Sequence, residues 1–150
     1  MRIHVGTDHA GFELKARLVE HWRSRGHEVV DHGAFEYDPA DDYPSFCFAC
    51  GESVVADPGS LGVVLGGSGN GEQIAANKVP GVRAATAHDL LTVRGSVENY
   101  DAQILCMGQN VIAAPAAWAL IDIWLDLRHD PTSDYGPKVG EIEAYEARLA

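Results

Sequence analysis

The sequence predicts an α/β fold, a doubly wound three-layer sandwich built on a five-stranded parallel sheet. Short strand-like runs alternate with helical stretches along the chain, a pattern typical of βαβ units with helices on both faces of the sheet. No period of roughly 20 to 50 residues recurs, so the chain is not a repeat protein. We expect its 150 residues to form one domain, residues 1–150.

Apolar and β-branched runs predict the strands. Leu61–Leu65 is the clearest, an uninterrupted apolar run suited to a strand buried on both faces. The predicted strands cover, in chain order, Arg2–Thr7, His27–Val30, Leu61–Leu65, Val82–Ala87 and Gln103–Met107. Such a sheet is Rossmann-like, and ligands bind outside the carboxyl ends of its strands. The functional loops should therefore be the four that follow Thr7, Leu65, Ala87 and Met107.

Helical periodicity predicts the connections. Leu14, Leu18 and Trp22 recur at a spacing of four and mark one apolar face, and Gly26 is placed to end that helix. The acidic segment from Phe35 to Pro44 reads as a surface loop. The predicted helices are Gly11–Arg25, one ending at Val55, Gln73–Asn77, one ending near Val97, Ala114–Leu127 and Val139–Leu149.

Charge and cysteine usage narrow the class of protein. Asp and Glu number 22 against 11 Lys and Arg, so the field of the protein repels nucleic acid. No run reaches the length of a membrane span, and Met1 is not followed by a signal peptide, so we expect a cytoplasmic protein. Cys47, Cys50 and Cys106 are an odd number of thiols, which we expect to be reduced and packed in the core.

A glycine-rich turn follows the third predicted strand and carries the strongest chemical signal. Gly66 to Gly71 contains four glycines, so the backbone can turn tightly and present N–H groups to an anion. Glu72 follows directly, where a base could act beside an oxyanion cradle. A dinucleotide fingerprint fails because Glu72 and Ile74 occupy its closing glycine position, and a nucleophile elbow fails because Asn70 does. A P-loop fails because the Gly-Lys-Ser/Thr ending is missing. The alternatives are a plain tight connection and a Glu that merely stabilises a helix start.

Asp8 and His9 follow the first predicted strand, at the same edge of the sheet. Asp8 can accept hydrogen bonds from sugar hydroxyls, and His9 can donate one to a hydroxyl or an anion. The structural alternative is that Asp8 caps the helix that follows.

Four segments keep a fixed order and spacing: Asp8–Lys15, Asp42–Pro44, Gly66–Glu72 and Ile74–Gly81. Together they resemble the ribose-5-phosphate isomerase B family, which also includes galactose-6-phosphate isomerase. The resemblance covers nearly the whole chain. The Glu at position 72 is similar to the actinobacterial branch, in which Glu replaces the Cys base found elsewhere in the family.

The resemblance implies an aldose–ketose isomerase that works through an enediol, with no metal or other cofactor. It also implies a homodimer, or a tetramer, with active sites at the interface and a sugar or sugar phosphate as the ligand. Glu72 would move the proton between C1 and C2, and the turn backbone would hold the enediolate. The implied catalytic residues are Glu72 and Ser68, and the implied substrate-binding residues are Asp8, His9, Gly67, Ser68, Gly69, Asn70, Gly71, Asn99, Tyr100, Asn110 and Lys138.

Several positions depart from the family. Asn99 stands where the family has its ring-opening His, Tyr100 replaces a substrate-contacting Asn, and Asn110 replaces an Arg at a strand end. Asn does not titrate, so it cannot act as a general acid or base. The two arginines that grip phosphate in the family fall on Asp134 and Lys138. We therefore expect the preferred substrate to be a sugar other than ribose 5-phosphate. Sugars that carry no phosphate are among the candidates.

Two other functions fit parts of the sequence. A non-catalytic sugar or nucleotide-binding protein would explain the loss of the ring-opening acid, but it would not need Glu72. A flavodoxin-like carrier of FMN would share the fold. Arg94, His88, Glu98 and Arg128 could compensate for the lost family residues, or each could be an ordinary loop or helix residue.

Overall fold

The fold is a five-stranded parallel sheet of strand order β2-β1-β3-β5-β4, seen in a computed structural model that describes residues 1–150. The strands are β1 Arg2–Thr7, β2 Glu28–Asp31, β3 Leu61–Gly66, β4 Ala84–Thr86 and β5 Ile104–Gly108. The α-helices are α1 Phe12–Ser24, α2 Tyr43–Ala56, α3 Asn70–Ala76, α4 Leu90–Glu98, α5 Ala114–Asp126 and α6 Gly136–Ala147. A 3₁₀ turn at His9–Gly11 joins β1 to α1.

Two apolar layers sandwich the sheet, because successive strand side chains point to opposite faces. One layer contains Trp22 from α1 and Trp124 from α5, both fully buried, packed against Leu65 and Met107. The other contains the core-facing residues of α2 and α3 packed against Val64, Ile104 and Cys106. The predicted three-layer α/β sandwich is confirmed.

Three elements have an end that differs by two or more residues from the sequence prediction. The short helix after the glycine turn begins at Asn70, ahead of the predicted Gln73, because Gly69 adopts a left-handed φ of 87° and reverses the chain just before it. β4 is shorter than predicted, since the N–H of Arg83 donates to the Gln103 side chain at 2.7 Å. α6 begins at Gly136, ahead of Val139, with a proline in its first turn.

The three cysteines are free and buried. Cys47 and Cys50 lie within α2 and Cys106 lies in β5, all in the same apolar layer. Burial raises the pKa of Cys50 to about 12 and also raises the pKa of the Cys47 and Cys106 thiols. They are core thiols, as predicted. None of the helices has the length and apolar character that a membrane crossing demands.

Candidate active site

The glycine turn after β3 forms a cradle of backbone N–H groups at the carboxyl edge of the sheet. The N–H groups of Gly67 and Ser68 donate to no protein atom, and the Ser68 hydroxyl accepts the N–H of Asn70 at 3.3 Å. α3 has only seven residues. The cradle therefore depends on the N–H groups of the turn more than on a helix dipole.

Neighbouring strands hold the turn in place through its carbonyl groups. Gly67 O accepts the N–H of Asn110 at 3.0 Å, and Gly69 O accepts the Thr86 hydroxyl at 3.1 Å. A Cβ atom on Gly108 would collide with the backbone of Gly67 and Ser68, so the turn can cross the end of β5 only at a glycine. Because its carbonyls are used in this way, the turn presents its free N–H groups with little freedom to reorient.

Glu72 lies in the first turn of α3 with only 5% of its surface exposed. Burial raises the pKa of its carboxyl, and the charge of Asp8 adds to this shift. The backbone N–H groups of Glu72 itself and of Gly69 oppose it. A carboxylate with a raised pKa beside free N–H donors has the arrangement needed to remove a proton next to a carbonyl group.

Asp8 and His9 reach the same edge from the end of β1. Asp8 is 5% exposed and caps the 3₁₀ turn, since its Oδ1 accepts the N–H of Ala10 at 2.9 Å. One oxygen of Asp8 therefore has the capping role that the sequence offered as an alternative, and the other oxygen, Oδ2, is available to a ligand. His9 Nδ1 lies 2.8 Å from Asp41 Oδ1 and 3.9 Å from Asp8 Oδ2. Hydrogen bonding to Asp41 is the main cause of a raised pKa at His9.

Asn110 is also brought to the cradle, with its Nδ2 atom 3.3 Å from the place a Cβ on Gly67 would take. The structure therefore gathers Asp8, His9, Glu72 and Asn110 around the turn, from the loops after three different strands. Three of the four loops that the sequence marked as functional contribute to this site. The fourth, after β4, supports it through His88, whose Nε2 accepts the N–H of Gly108 at 2.9 Å.

Asn99, Tyr100 and Lys138 are not brought to this site within one chain. Asn99 and Tyr100 follow α4 and precede β5, which puts them at the amino edge of the sheet. β5 has five residues, so about 16 Å of strand separates the two edges. Tyr100 packs edge-on against Tyr135, with ring centroids 5.8 Å apart, and Lys138 Nζ lies 4.2 Å from the centroid of the same Tyr135 ring.

A protein-family model described as ribose/galactose isomerase matches residues 3–142. Ribose-5-phosphate isomerase B of Mycobacterium tuberculosis is 46% identical over 146 residues, covering 97% of this chain and 90% of that protein. The chain belongs to the ribose/galactose isomerase family. D-erythrulose-4-phosphate isomerase 2 of Mycolicibacterium smegmatis is 40% identical and covers 97% of each protein. The solved structure of Clostridium thermocellum ribose-5-phosphate isomerase B has a TM-score of 0.94 and 35% identity, with 100% of both chains covered.

Membership of the ribose/galactose isomerase family confirms the predicted reaction class. These relatives are named as sugar isomerases, which interconvert aldoses and ketoses. The fold agrees as well, since the solved relative superposes over its full length. A non-catalytic binding protein is not favoured by these comparisons.

The residues that could have compensated for lost family positions have structural partners in this isomerase. Arg94 and Glu98 form an ion pair one helical turn apart on α4. Arg128 donates to the carbonyl groups of Leu125 and Leu127 at the end of α5. Of the four, only His88 lies next to the cradle, and it acts there as an acceptor for the backbone of β5.

Sequence reasoning missed two residues of the candidate site. A Cβ on Gly71 would meet the ring of Tyr43 at 2.8 Å, so this ring closes one side of the turn. The only sequence signal for Tyr43 is its place in the Asp42–Pro44 segment. Asp41 gives no signal, because its partner His9 lies 32 residues away in the chain.

Proposed function

We propose that this isomerase moves a proton between C1 and C2 of a sugar with Glu72 as the base. The observation that carries the proposal is the buried Glu72 carboxyl, whose pKa is raised, beside the free N–H groups of Gly67 and Ser68. Glu72 removes the C2 proton of the aldose, and the N–H groups stabilise the negative charge that develops on the carbonyl oxygen. The protonated Glu72, which can exchange its proton with solvent, then protonates C1, while the hydroxyl proton passes from O2 to O1 and leaves a ketose.

The remaining cradle residues bind the sugar in this proposal. Asp8 accepts hydrogen bonds from its hydroxyl groups, and His9 and Asn110 donate hydrogen bonds to its oxygens. Ser68 is exposed at the turn, and in this proposal its hydroxyl forms a hydrogen bond with the reacting oxygens. Gly69, Asn70 and Gly71 shape the turn. Each role follows from donor and acceptor chemistry at the observed position.

We propose a homodimer as the functional unit, with a tetramer of such dimers as the alternative. Asn99, Tyr100 and Lys138 lie at the amino edge of the sheet, whereas Glu72 lies at the carboxyl edge. A symmetric pair of chains could bring the amino edge of one protomer to the cradle of its partner. The functional role of all three residues depends on this second chain.

The substrate we propose is an open-chain sugar with four carbons. Asn99 cannot protonate a ring oxygen, so the enzyme suits a sugar that needs no ring opening. A four-carbon sugar with a phosphate on C4 lacks the hydroxyl that would close a five-membered ring. The relative named D-erythrulose-4-phosphate isomerase 2 is consistent with such a substrate. Asp134 and Lys138, in place of the family's phosphate-gripping arginines, would hold this phosphate less tightly. That weakening applies to ribose 5-phosphate and to a tetrose 4-phosphate alike, so the absence of ring opening is the feature that selects the four-carbon sugar.

A panel of tetroses, pentoses and hexoses, each free and phosphorylated, tests this proposal. We expect the highest kcat/KM for a four-carbon sugar and exchange of its C2 proton with solvent deuterium. Ribose 5-phosphate as the best substrate, at about 10⁴ M⁻¹s⁻¹ or more, would overturn the substrate assignment. Absence of both turnover and exchange for every sugar would overturn the isomerase assignment and favour a binding protein.

We also place the enzyme in the cytoplasm. Its three thiols are buried and unpaired, and they stay reduced in such a compartment. Fractionation of the source cells should recover the protein with cytoplasmic markers, and recovery in the culture medium would contradict this placement.

A further inference from the structure

Asp41 makes two hydrogen bonds to His9 through a single oxygen. Its Oδ1 accepts the backbone N–H of His9 at 2.8 Å and lies 2.8 Å from the Nδ1 atom of the His9 ring. Both contacts join the loop before α2 to the end of β1. They determine where the backbone of His9 lies and which way its ring is turned.

The Nδ1 contact also decides which ring nitrogen is left for a ligand. A carboxylate at hydrogen-bond distance holds a proton on Nδ1, and no other protein atom bonds to the ring. Nε2 is therefore the nitrogen available to the substrate. About a third of the His9 side chain is exposed, which gives a ligand access to it.

We propose that Asp41 is a positioning residue for catalysis, whose negative charge holds the His9 ring with a proton on each nitrogen, so that Nε2–H donates a hydrogen bond to a sugar oxygen. This inference rests on the proposed function, because it assigns His9 to the substrate. Asp8 lies on the other side, with Oδ2 3.9 Å from His9 Nδ1. His9 as a donor and Asp8 as an acceptor therefore lie next to each other, and together they can bind two neighbouring hydroxyl groups of a sugar.

The charges around His9 agree with a donor role. Two carboxylates face the ring, those of Asp41 and Asp8, and both raise the pKa of His9. Partial burial of the ring opposes them. Tyr37 meets the ring edge-on, with centroids 6.4 Å apart. Because the carboxylates outweigh burial, His9 keeps its second ring proton to a higher pH than a free histidine does.

The side chains of Asp8, His9 and Asp41 could instead hold a cation, since one oxygen or nitrogen ligand atom of each lies within 4.8 Å of the others. A cation bound through Asp41 Oδ1 and His9 Nδ1 would have to break the bond between them, whereas Asp41 Oδ2 has no hydrogen-bond partner. The two readings predict different effects of chelation. Activity that falls with EDTA and returns with Mg²⁺ or Mn²⁺ would establish a metal site and overturn the positioning role.

The decisive variant is Asp41→Asn, which keeps an oxygen that accepts both bonds but removes the charge. NMR titration of the ring C–H signals reports the pKa of His9, assigned by the signal that disappears in His9→Gln. We expect that pKa to fall by about one unit in Asp41→Asn. Asp38→Asn is the matched control, because Asp38 is exposed in the same loop and its turn bond to Ala40 survives in Asn. An unchanged His9 pKa in Asp41→Asn would overturn the proposal, even if the enzyme proves to be active on another sugar.

Kinetics give the second readout. If protonated His9 is the donor, kcat/KM of the parent declines as pH rises through the raised pKa, and in Asp41→Asn this decline moves to lower pH. We expect kcat/KM of Asp41→Asn to fall roughly tenfold near neutral pH. In a His9→Gln background the same substitution should have little further effect, because the ring that it positions is gone. Equal losses in both backgrounds would show that Asp41 acts independently of His9.

Discussion

The carboxylate of Glu72 lies in the space that a side chain at position 66 would occupy. A Cβ atom built on Gly66 would collide with Oε1 and Cδ of Glu72. Glycine at the end of β3 therefore leaves the space in which the Glu72 carboxylate lies over the end of the strand. The position of Glu72 thus depends on Gly66, although six positions separate the two residues.

Gly66→Ala should displace the Glu72 carboxylate. Misplacing a catalytic group by about 1 Å can cost roughly 10²-fold in rate, so we expect a loss of that size in kcat. The control is Gly140→Ala on α6, where an added Cβ meets nothing within 4 Å. Steady-state kinetics with thermal unfolding of both variants checks this. Full activity in a folded Gly66→Ala would show that Glu72 does not need its observed position.

Glu72→Gln should remove the base and keep the shape. Loss of a general base costs roughly 10²- to 10⁴-fold in rate. Because burial raises the pKa of Glu72, the parent should lose activity on acidification at a pH above the ordinary glutamate value of about 4.3. The pH profile of kcat/KM measures this limb. A folded Glu72→Gln that works within about threefold of the parent would contradict the assignment.

The same substitution should leave stability unchanged or raise it at neutral pH. A carboxyl whose pKa is raised in the folded state binds its proton more tightly there than in the unfolded chain. Stability is therefore lost as pH rises through the window between the unfolded and folded pKa values. Gln avoids that loss. Urea unfolding at pH 7.5 and at pH 4 should show the advantage of Glu72→Gln shrinking at the lower pH, and a constant difference would refute the linkage.

Hybrid dimers test whether two chains share each site. Glu72→Gln and Tyr100→Ala should each make a poorly active homodimer. A hybrid contains one site with both residues intact and one with neither, so an equal mixture should recover about a quarter of parental activity. Refolding the two variants together and assaying the mixture measures this. Activity no greater than the mean of the separate variants would place each site within one chain.

The buried Lys15 ammonium should make Asp31 important for stability. Lys15 Nζ donates to Asp31 Oδ1 at 2.8 Å and to the carbonyl of Ala34 at 2.6 Å, and its side chain is 5% exposed. Asp31→Asn leaves that charge without a counterion. We expect a loss of about 1 to 3 kcal/mol in the free energy of unfolding, smaller than for a fully buried pair because Asp31 is 26% exposed. Lys15→Met, which removes the charge, should cost less than Asp31→Asn in urea unfolding, and the reverse order would contradict this account.

The order of strands and helices could be predicted from the sequence because it depends on local patterns. The apolar run Leu61–Leu65 and the helical spacing of Leu14, Leu18 and Trp22 each express a local requirement for burial. The glycine turn with Glu72 could be found for the same reason, since strand, turn and base are contiguous in the chain. The ends of elements were less well predicted, because some depend on side chains that are distant in sequence. β4 begins only after Arg83, since the backbone N–H of Arg83 donates to Gln103 Oε1 and not to a neighbouring strand.

Relationships between distant segments were decided only by the tertiary structure. Asp41 meets His9 because a loop before α2 folds onto the end of β1, and the geometry of that contact has no counterpart in local sequence. The separation of Asn99 and Tyr100 from Glu72 also follows from topology, since a helix between parallel strands returns the chain to the opposite edge of the sheet. By itself the sequence determined the contiguous part of the site, the glycine turn with Glu72, together with Asp8 and His9. Their distances, their burial and the protons they hold depend on packing among segments far apart in the chain.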